Sequence, residues 1–176
     1  MVSERLFQKM DRARLDSASL NAAMPDLMSV LVEVVRARES YVADGGVRAL
    51  HLTFQQVVDV LDECFDLPIK RVFLRDRPRP HRRSQGRVVY EVHGECNPDG
   101  PLEIYTRTAA YARPVALKSL LDTLLHEWVH HYDFTRFGDS VHCDGFFERL
   151  AQVYRPMRDR LDKLSELART DRDQSA

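Results

Sequence analysis

The sequence has too few cysteines for a covalent framework. There are three, Cys64, Cys96 and Cys143, an odd number at wide spacings with no CxxC pair. That excludes a disulfide scaffold or a zinc ribbon and points to a reducing, cytoplasmic setting. No apolar h-region follows the charged N-terminus, Met1 to Arg14, so no secretory signal is expected. The longest apolar stretch, around Leu27 to Val35, is interrupted by Ser29 and Glu33 and is too short to span a bilayer. No membrane partner is therefore expected. Repeats and low-complexity blocks are also missing. Net charge is only −1 over 176 residues, so global charge argues for neither a nucleic-acid nor a membrane partner. With 44% hydrophobic and 30% charged residues, the composition is that of an ordinary globular chain. At this length a core can form without staples.

The charge is unevenly spread. Lys70 to Arg87 holds eight Lys/Arg against Asp76, a local +7 that leaves −8 elsewhere. Such a stretch reads as a solvated loop or as an electrostatic patch for DNA or an acidic protein. Aromatics able to stack on bases are missing from 75 to 86, which weakens a single-strand site.

Residues 4 to 16 read as a short polar helix. Met24-Pro25 places a proline at a helix start, followed by Leu27, Leu31, Val34 and Val35 at helical spacing and ended by Asp44-Gly45-Gly46. Thr53 and Gln56 fit a capping box for a helix from Phe54, with Phe54, Val57, Val58, Leu61 and Phe65 on one face. Arg71 to Leu74 reads as a short strand and Arg75 to Gly86 as a loop. Arg87 to His93 reads as a strand, turned at Asn97-Pro98-Asp99-Gly100 and hairpinned to Leu102 to Arg107. Pro114 opens the next helix and Gly138 closes it, with Leu117, Leu121, Leu124 and Trp128 as its apolar stripe. A last helix begins near Asp144, with Pro156 inside it, and a disordered polar tail is expected from Arg169.

His126-Glu127-Trp128-Val129-His130 falls in the helix between Pro114 and Gly138. At about 100° per residue, the two histidines lie within about 40° of each other on adjacent turns. Two such imidazoles can chelate one zinc ion. Glu127 is displaced around the helix from both, placed to take a proton from a zinc-activated water rather than to bind the metal. This is the HExxH arrangement. A catalytic zinc needs a third protein ligand. Downstream stand His131, Asp133, Asp139, His142, Cys143, Asp144 and Glu148. His131 points about 100° away from His130, as a surface or supporting histidine. Gly138 lets the chain turn back and brings His142 within reach.

The apolar run Leu120 to Leu125 into His126-Glu127-Trp128-Val129-His130, then His142-Cys143-Asp144-Gly145-Phe146, resembles the SprT-like metallopeptidases of the bacterial SprT and Spartan type. The family has a third histidine followed four residues later by an aromatic, here Phe146. The likeness covers roughly residues 50 to 155 in element order. Two features depart from it: Cys143 stands where glycine is frequent, and no zinc ribbon can be formed. The resemblance implies an α+β, zincin-like single domain. It would have a small three-stranded, mostly antiparallel sheet packed on the HExxH helix, with flanking helices. The domain would span 47–168, after an N-terminal helical segment 1–46 and before the tail 169–176. The resemblance also implies Zn2+ on His126, His130 and His142, Glu127 as general base, and peptide-bond hydrolysis. The substrate would be a polypeptide added as a strand, for which Leu102 to Arg107 is the candidate edge; an interior sheet strand is the other reading of that segment. Arg107, Tyr105, Tyr111 and Tyr154 stand open as oxyanion stabilisers. The alternative function is a zinc-binding regulatory or nucleic-acid-binding protein with little or no turnover.

Overall fold

The computed structural model describes residues 2–174. Its helices are α1 (Glu4–Arg12), α2 (Ser17–Asp44), α3 (Val47–Cys64), α4 (Leu117–Phe137) and α5 (Asp144–Gln174). Its strands are β1 (Val72–Pro78), β2 (His81–Ser84), β3 (Arg87–Glu91), β4 (Gly94–Cys96) and β5 (Leu102–Arg107). The class is α+β.

Two helices start earlier than their sequence signals. The Asp16 carboxylate accepts from Ser19 N–H at 2.7 Å and caps α2, so Pro25 sits inside the helix rather than opening it. The carbonyl that Pro25 leaves unpaired belongs to exposed Asn21, where water can meet it. Helix α3 starts at Val47, after Gly45 turns the chain with φ 78°. Thr53 is therefore not a cap; its hydroxyl donates back to the Leu50 carbonyl at 3.0 Å in mid-helix. The predicted apolar face, Phe54, Val57, Val58 and Leu61, is fully buried. By length and composition alone α2 could cross a bilayer, contrary to the reading of its sequence. In the fold, its Leu27, Leu31 and Val34 join the same core as Leu124 and Trp128 of α4.

The sheet differs from the expected one. Strands run in the order β1-β5-β4, with β1 parallel and β4 antiparallel to β5, so the three-stranded sheet is mixed. The Asn97–Gly100 turn joins β5 to the short β4, not to Arg87–His93. Strand β3 instead pairs with β2, across a Gln85-Gly86 turn with φ 48° and 78°. The segment 75–86 is thus mostly strand. Strand β2 is exposed at every residue, so no apolar alternation marks it in the sequence.

One buried ion pair ties the chain's beginning to its end. The Arg149 guanidinium on α5 donates to Asp133 of α4 at 2.8 Å and to the carbonyls of Met10 and Ala13 at 2.8 and 2.9 Å. Both charged side chains are 0% exposed. Arg149→Met would leave a buried carboxylate unpaired, an effect of about 3–5 kcal/mol. For a chain of this size that is a fall in Tm of about 6–20 °C. A thermal melt of the metal-free variant checks this; a Tm unchanged from wild type would refute a structural role for the pair.

Helix α5 continues through Gln174. The tail expected to be disordered from Arg169 is therefore helical in its backbone to that point, and residues 175–176 lie outside the described residues.

Candidate metal centre

Helix α4 lies against the sheet, with Leu120, Leu121, Leu124, Leu125, Trp128 and Val129 all buried. His126 and His130 stand on its remaining side. Gly138, at φ 76°, ends α4 and lets the chain reverse. The returning segment carries His142 to the same spot. The Nε2 atoms of His126 and His130 are 3.3 Å apart, and that of His142 lies 3.0 and 3.1 Å from them. Ligands on a tetrahedral ion of zinc's size stand about 3.3–3.4 Å apart. The three nitrogens fit such an ion closely. Buried Phe146, from the first turns of α5, supports all three rings, with centroids 4.9, 4.6 and 4.8 Å from His126, His130 and His142.

The protonation states suit a cation. Burial, reinforced by the neighbouring histidines, holds His126 down to about 4 and His130 down to about 3, so both are neutral near pH 7. The His130 Nδ1 lies 2.7 Å from Ser140 Oγ, and that hydroxyl faces the buried Asp133 carboxylate at 3.4 Å. With the serine proton directed to Asp133, Nδ1 carries the ring proton and Nε2 offers its lone pair. Arg149 holds the other end of this relay. Ser140→Ala is expected to weaken metal binding by about 10–100-fold with little change in the metal-free melt. Competition with a chromophoric chelator reads this, and an unchanged affinity would remove Ser140 from the account.

No family model, curated protein or solved structure matches this chain. The centre stands on its own geometry.

Glu127 is 7% exposed and faces β4. Burial, with Glu95 adding like charge, pushes its carboxyl up to about 7; the Cys96 main-chain N–H works the other way. A cation held beside it would favour the carboxylate again. The triad and Glu127 share a cleft of about 470 Å³ with Tyr90, Glu91, Val92, His93, Gly94, Asp122 and Thr123.

Strand β4 forms the cleft's opposite wall. A Cβ on Gly94 would come 2.7 Å from Thr123 Cγ2 and 3.0 Å from Glu127 Cγ. Only glycine lets the strand lie this close to α4. Sequence reasoning passed over Gly94, although a lone glycine in a strand is a signal for close approach. Ser140 and His93 carried no such signal.

The remaining third-ligand candidates are accounted for. Cys143 is buried, Asp133 pairs with Arg149, and Asp139 caps the Ser140 N–H at 2.8 Å. Asp144 and Glu148 are exposed and outside the triad. His131 is not a surface residue: it is 5% exposed and its Nε2 lies 3.1 Å from the Pro68 carbonyl, near Asp62.

The basic segment is partly consumed by the fold. Lys70 is buried on the carbonyls of Asn97 and Pro98, Arg75 pairs with Glu103, and Arg79 is buried beside Glu91. Arg82 and Arg83 remain exposed on β2. Arg82 lies over the ring of Tyr90 at 5.4 Å, an aromatic the sequence window did not include.

Proposed function

We propose that this protein is a zinc-dependent peptidase of the SprT-like kind, with a zincin-type arrangement of active helix and edge strand. The observation that carries the reading is the convergence of three Nε2 atoms beside a buried carboxylate that binds none of them. A zinc ion on His126, His130 and His142 would supply Lewis acidity and lower the pKa of water.

The chain's own residues supply the rest. Glu127 takes a proton from water as the water oxygen bonds to the peptide carbonyl carbon and the carbonyl π pair moves onto its oxygen. The C–N bond then breaks, and the proton passes from Glu127 to the departing amine nitrogen. One water is consumed; a carboxylic acid and an amine are released, and the acid's proton passes to the amine or to solvent.

Strand β4 is suited to hold the substrate. Strand β5, the candidate edge on sequence grounds, lies between β1 and β4 and has no free edge over Leu102–Ile104. On β4 the positions bonded to β5 alternate: Tyr105 N–H donates to the His93 carbonyl at 3.1 Å and Asn97 N–H to that of Pro101 at 3.4 Å. The main-chain groups of Gly94 and the Cys96 carbonyl then face the open edge, while the Cys96 N–H is taken by the Glu127 carboxylate. An extended polypeptide can pair there and pass over the triad, which gives affinity with loose side-chain specificity.

The second reading, a zinc-binding module without turnover, draws on the exposed arginines of β2. The experiment that separates the two is metal analysis of the purified protein, followed by incubation of zinc-loaded wild type and Glu127→Gln with an unstructured protein. Cleavage by wild type alone supports the peptidase. Stoichiometric zinc without cleavage leaves the binding module, and absence of zinc removes both.

A further inference from the structure

Amide hydrolysis at such a centre needs a donor for the oxygen that gains charge during attack. Of the four side chains open on sequence grounds, three are committed elsewhere and the fourth does not line the cleft. Arg107 is held by Asp76 at 2.7 and 3.0 Å. Tyr105 is 3% exposed, with the Arg77 guanidinium over its ring. Tyr111 lines a different groove with Val88 and Arg113. Tyr154 does not itself line the metal cleft, although it interacts electrostatically with Asp122, which does.

We propose that His93, oriented by Glu91 and Arg79, donates the hydrogen bond that stabilises this oxyanion. The inference rests on the peptidase reading and assigns one further catalytic residue within it.

His93, next to Gly94, lines the same cleft as the histidine triad. Its main chain is fixed by the bond from Tyr105 N–H. Its Nε2 lies 3.0 Å from Glu91 Oε1 and 3.3 Å from Arg79 Nη1, while Nδ1 has no hydrogen-bond partner among the described residues. The side chain is 49% exposed. One ring nitrogen is therefore anchored, and the other is unpaired in a side chain that lines the cleft.

Two of the ring's three protonation states put a donor on Nδ1. If Arg79 donates to a bare Nε2, the neutral ring carries its proton on Nδ1. If Nε2–H donates to Glu91, a second proton on Nδ1 makes an imidazolium whose charge Glu91 offsets. His93 also interacts electrostatically with His126 and Asp122, which line the same cleft.

Arg79 points the same way. Its side chain is 6% exposed, and its Nε and Nη2 are buried with no hydrogen-bond partner among the described residues. Buried unpaired donors are costly, and an apolar side chain of similar size would spare that cost. What the guanidinium gains is a grip on Glu91, at 3.2 Å, and on His93. His93 makes and breaks no covalent bond in this role. It donates to the carbonyl oxygen while the proton of water goes to Glu127.

The test compares zinc-loaded wild type with His93→Ala on an unstructured protein and on a fluorogenic peptide. A drop in kcat of about 10²–10³-fold is expected, with full zinc content. KM should stay within about threefold, since the interaction forms only in the transition state. Affinity for a phosphinic peptide, which mimics the tetrahedral intermediate, should fall with kcat. Affinity for uncleaved peptide, measured in a Glu127→Gln background, should not move. His93→Gln, which keeps an N–H donor, should recover part of the loss. A His93→Ala protein with wild-type kcat and wild-type phosphinic-peptide affinity overturns the assignment and leaves the peptidase reading intact. Zinc-loaded wild type that neither cleaves nor binds the phosphinic peptide overturns both.

Discussion

Glu127→Gln is expected to lower peptide hydrolysis by about 10²–10⁴-fold while zinc stays bound. Gln keeps the size and one acceptor of Glu127 but cannot take a proton from water. The metal ligands are untouched, because the carboxylate lies outside the triad of Nε2 atoms. The fold should not suffer either. Glu127 is buried, has no ion-pair partner among the described residues and lies beside the like charge of Glu95, so a neutral side chain removes a burden from the metal-free protein. Three measurements on one preparation decide this: zinc content, initial rate on an unstructured protein, and the metal-free melt. A variant that keeps half the wild-type rate would show that Glu127 is not the base. A variant that loses zinc together with activity would show that the carboxylate helps hold the metal.

His142→Ala is expected to have the second largest effect, on metal affinity rather than on the fold. Apparent zinc-binding free energies of ~10–16 kcal/mol over four ligands put one imidazole at ~3 kcal/mol, or about 10²–10³-fold in affinity. The residue is exposed and, among the described residues, makes no hydrogen bond outside the triad. Its other contacts are with the rings of Phe146 and Phe147, at 4.8 and 5.9 Å. The metal-free melt should therefore match wild type, while chelator competition registers the loss. An affinity near that of wild type would mean that His126 and His130 recruit a different third group. His131 cannot be that group, because it is buried against Pro68 and Asp62 on another side of α4.

These two substitutions separate the functions of neighbouring groups. Zinc without rate in one case, and an intact fold without zinc in the other, is a pattern that neither a bare helix nor a structural metal site would give. Ser140→Ala belongs between them: it keeps every ligand but releases the orientation of His130.

Much of the site was legible because it follows from helix geometry. His126 and His130 are four residues apart in a segment bounded by Pro114 and Gly138, and any α-helix places such a pair on one side. His142 was legible as one of several residues after a glycine turn. Which of them would arrive depended on how the return segment lies over α4 and on Phe146 filling the space beneath the rings. The strands were less legible. Strand β2 has no apolar alternation, and β4 is only Gly94–Cys96. Their partners are set by contacts far along the chain, such as Leu102–Ile104 for β4.

The early helix starts show the same division. Asp16 and Ser19 are close in sequence, so the cap of α2 was available to local reasoning, yet Pro25 gave the louder signal. The basic stretch 70–87 carried its charge openly. Only folding assigned Lys70 to the Asn97 and Pro98 carbonyls, Arg75 to Glu103 and Arg79 to Glu91, and left Arg82 and Arg83 on the surface.

By itself, then, the sequence determined the pair His126 and His130, the carboxylate between them, and the helix that carries all three, because spacing of 3.6 residues per turn is a local property. The tertiary structure decided that His142 completes the triad, that β4 rather than β5 is an edge strand, and that His93 lines the same cleft as the three histidines. Those choices depend on packing between segments distant in sequence, where burial and hydrogen-bond partners are fixed only once the core has closed.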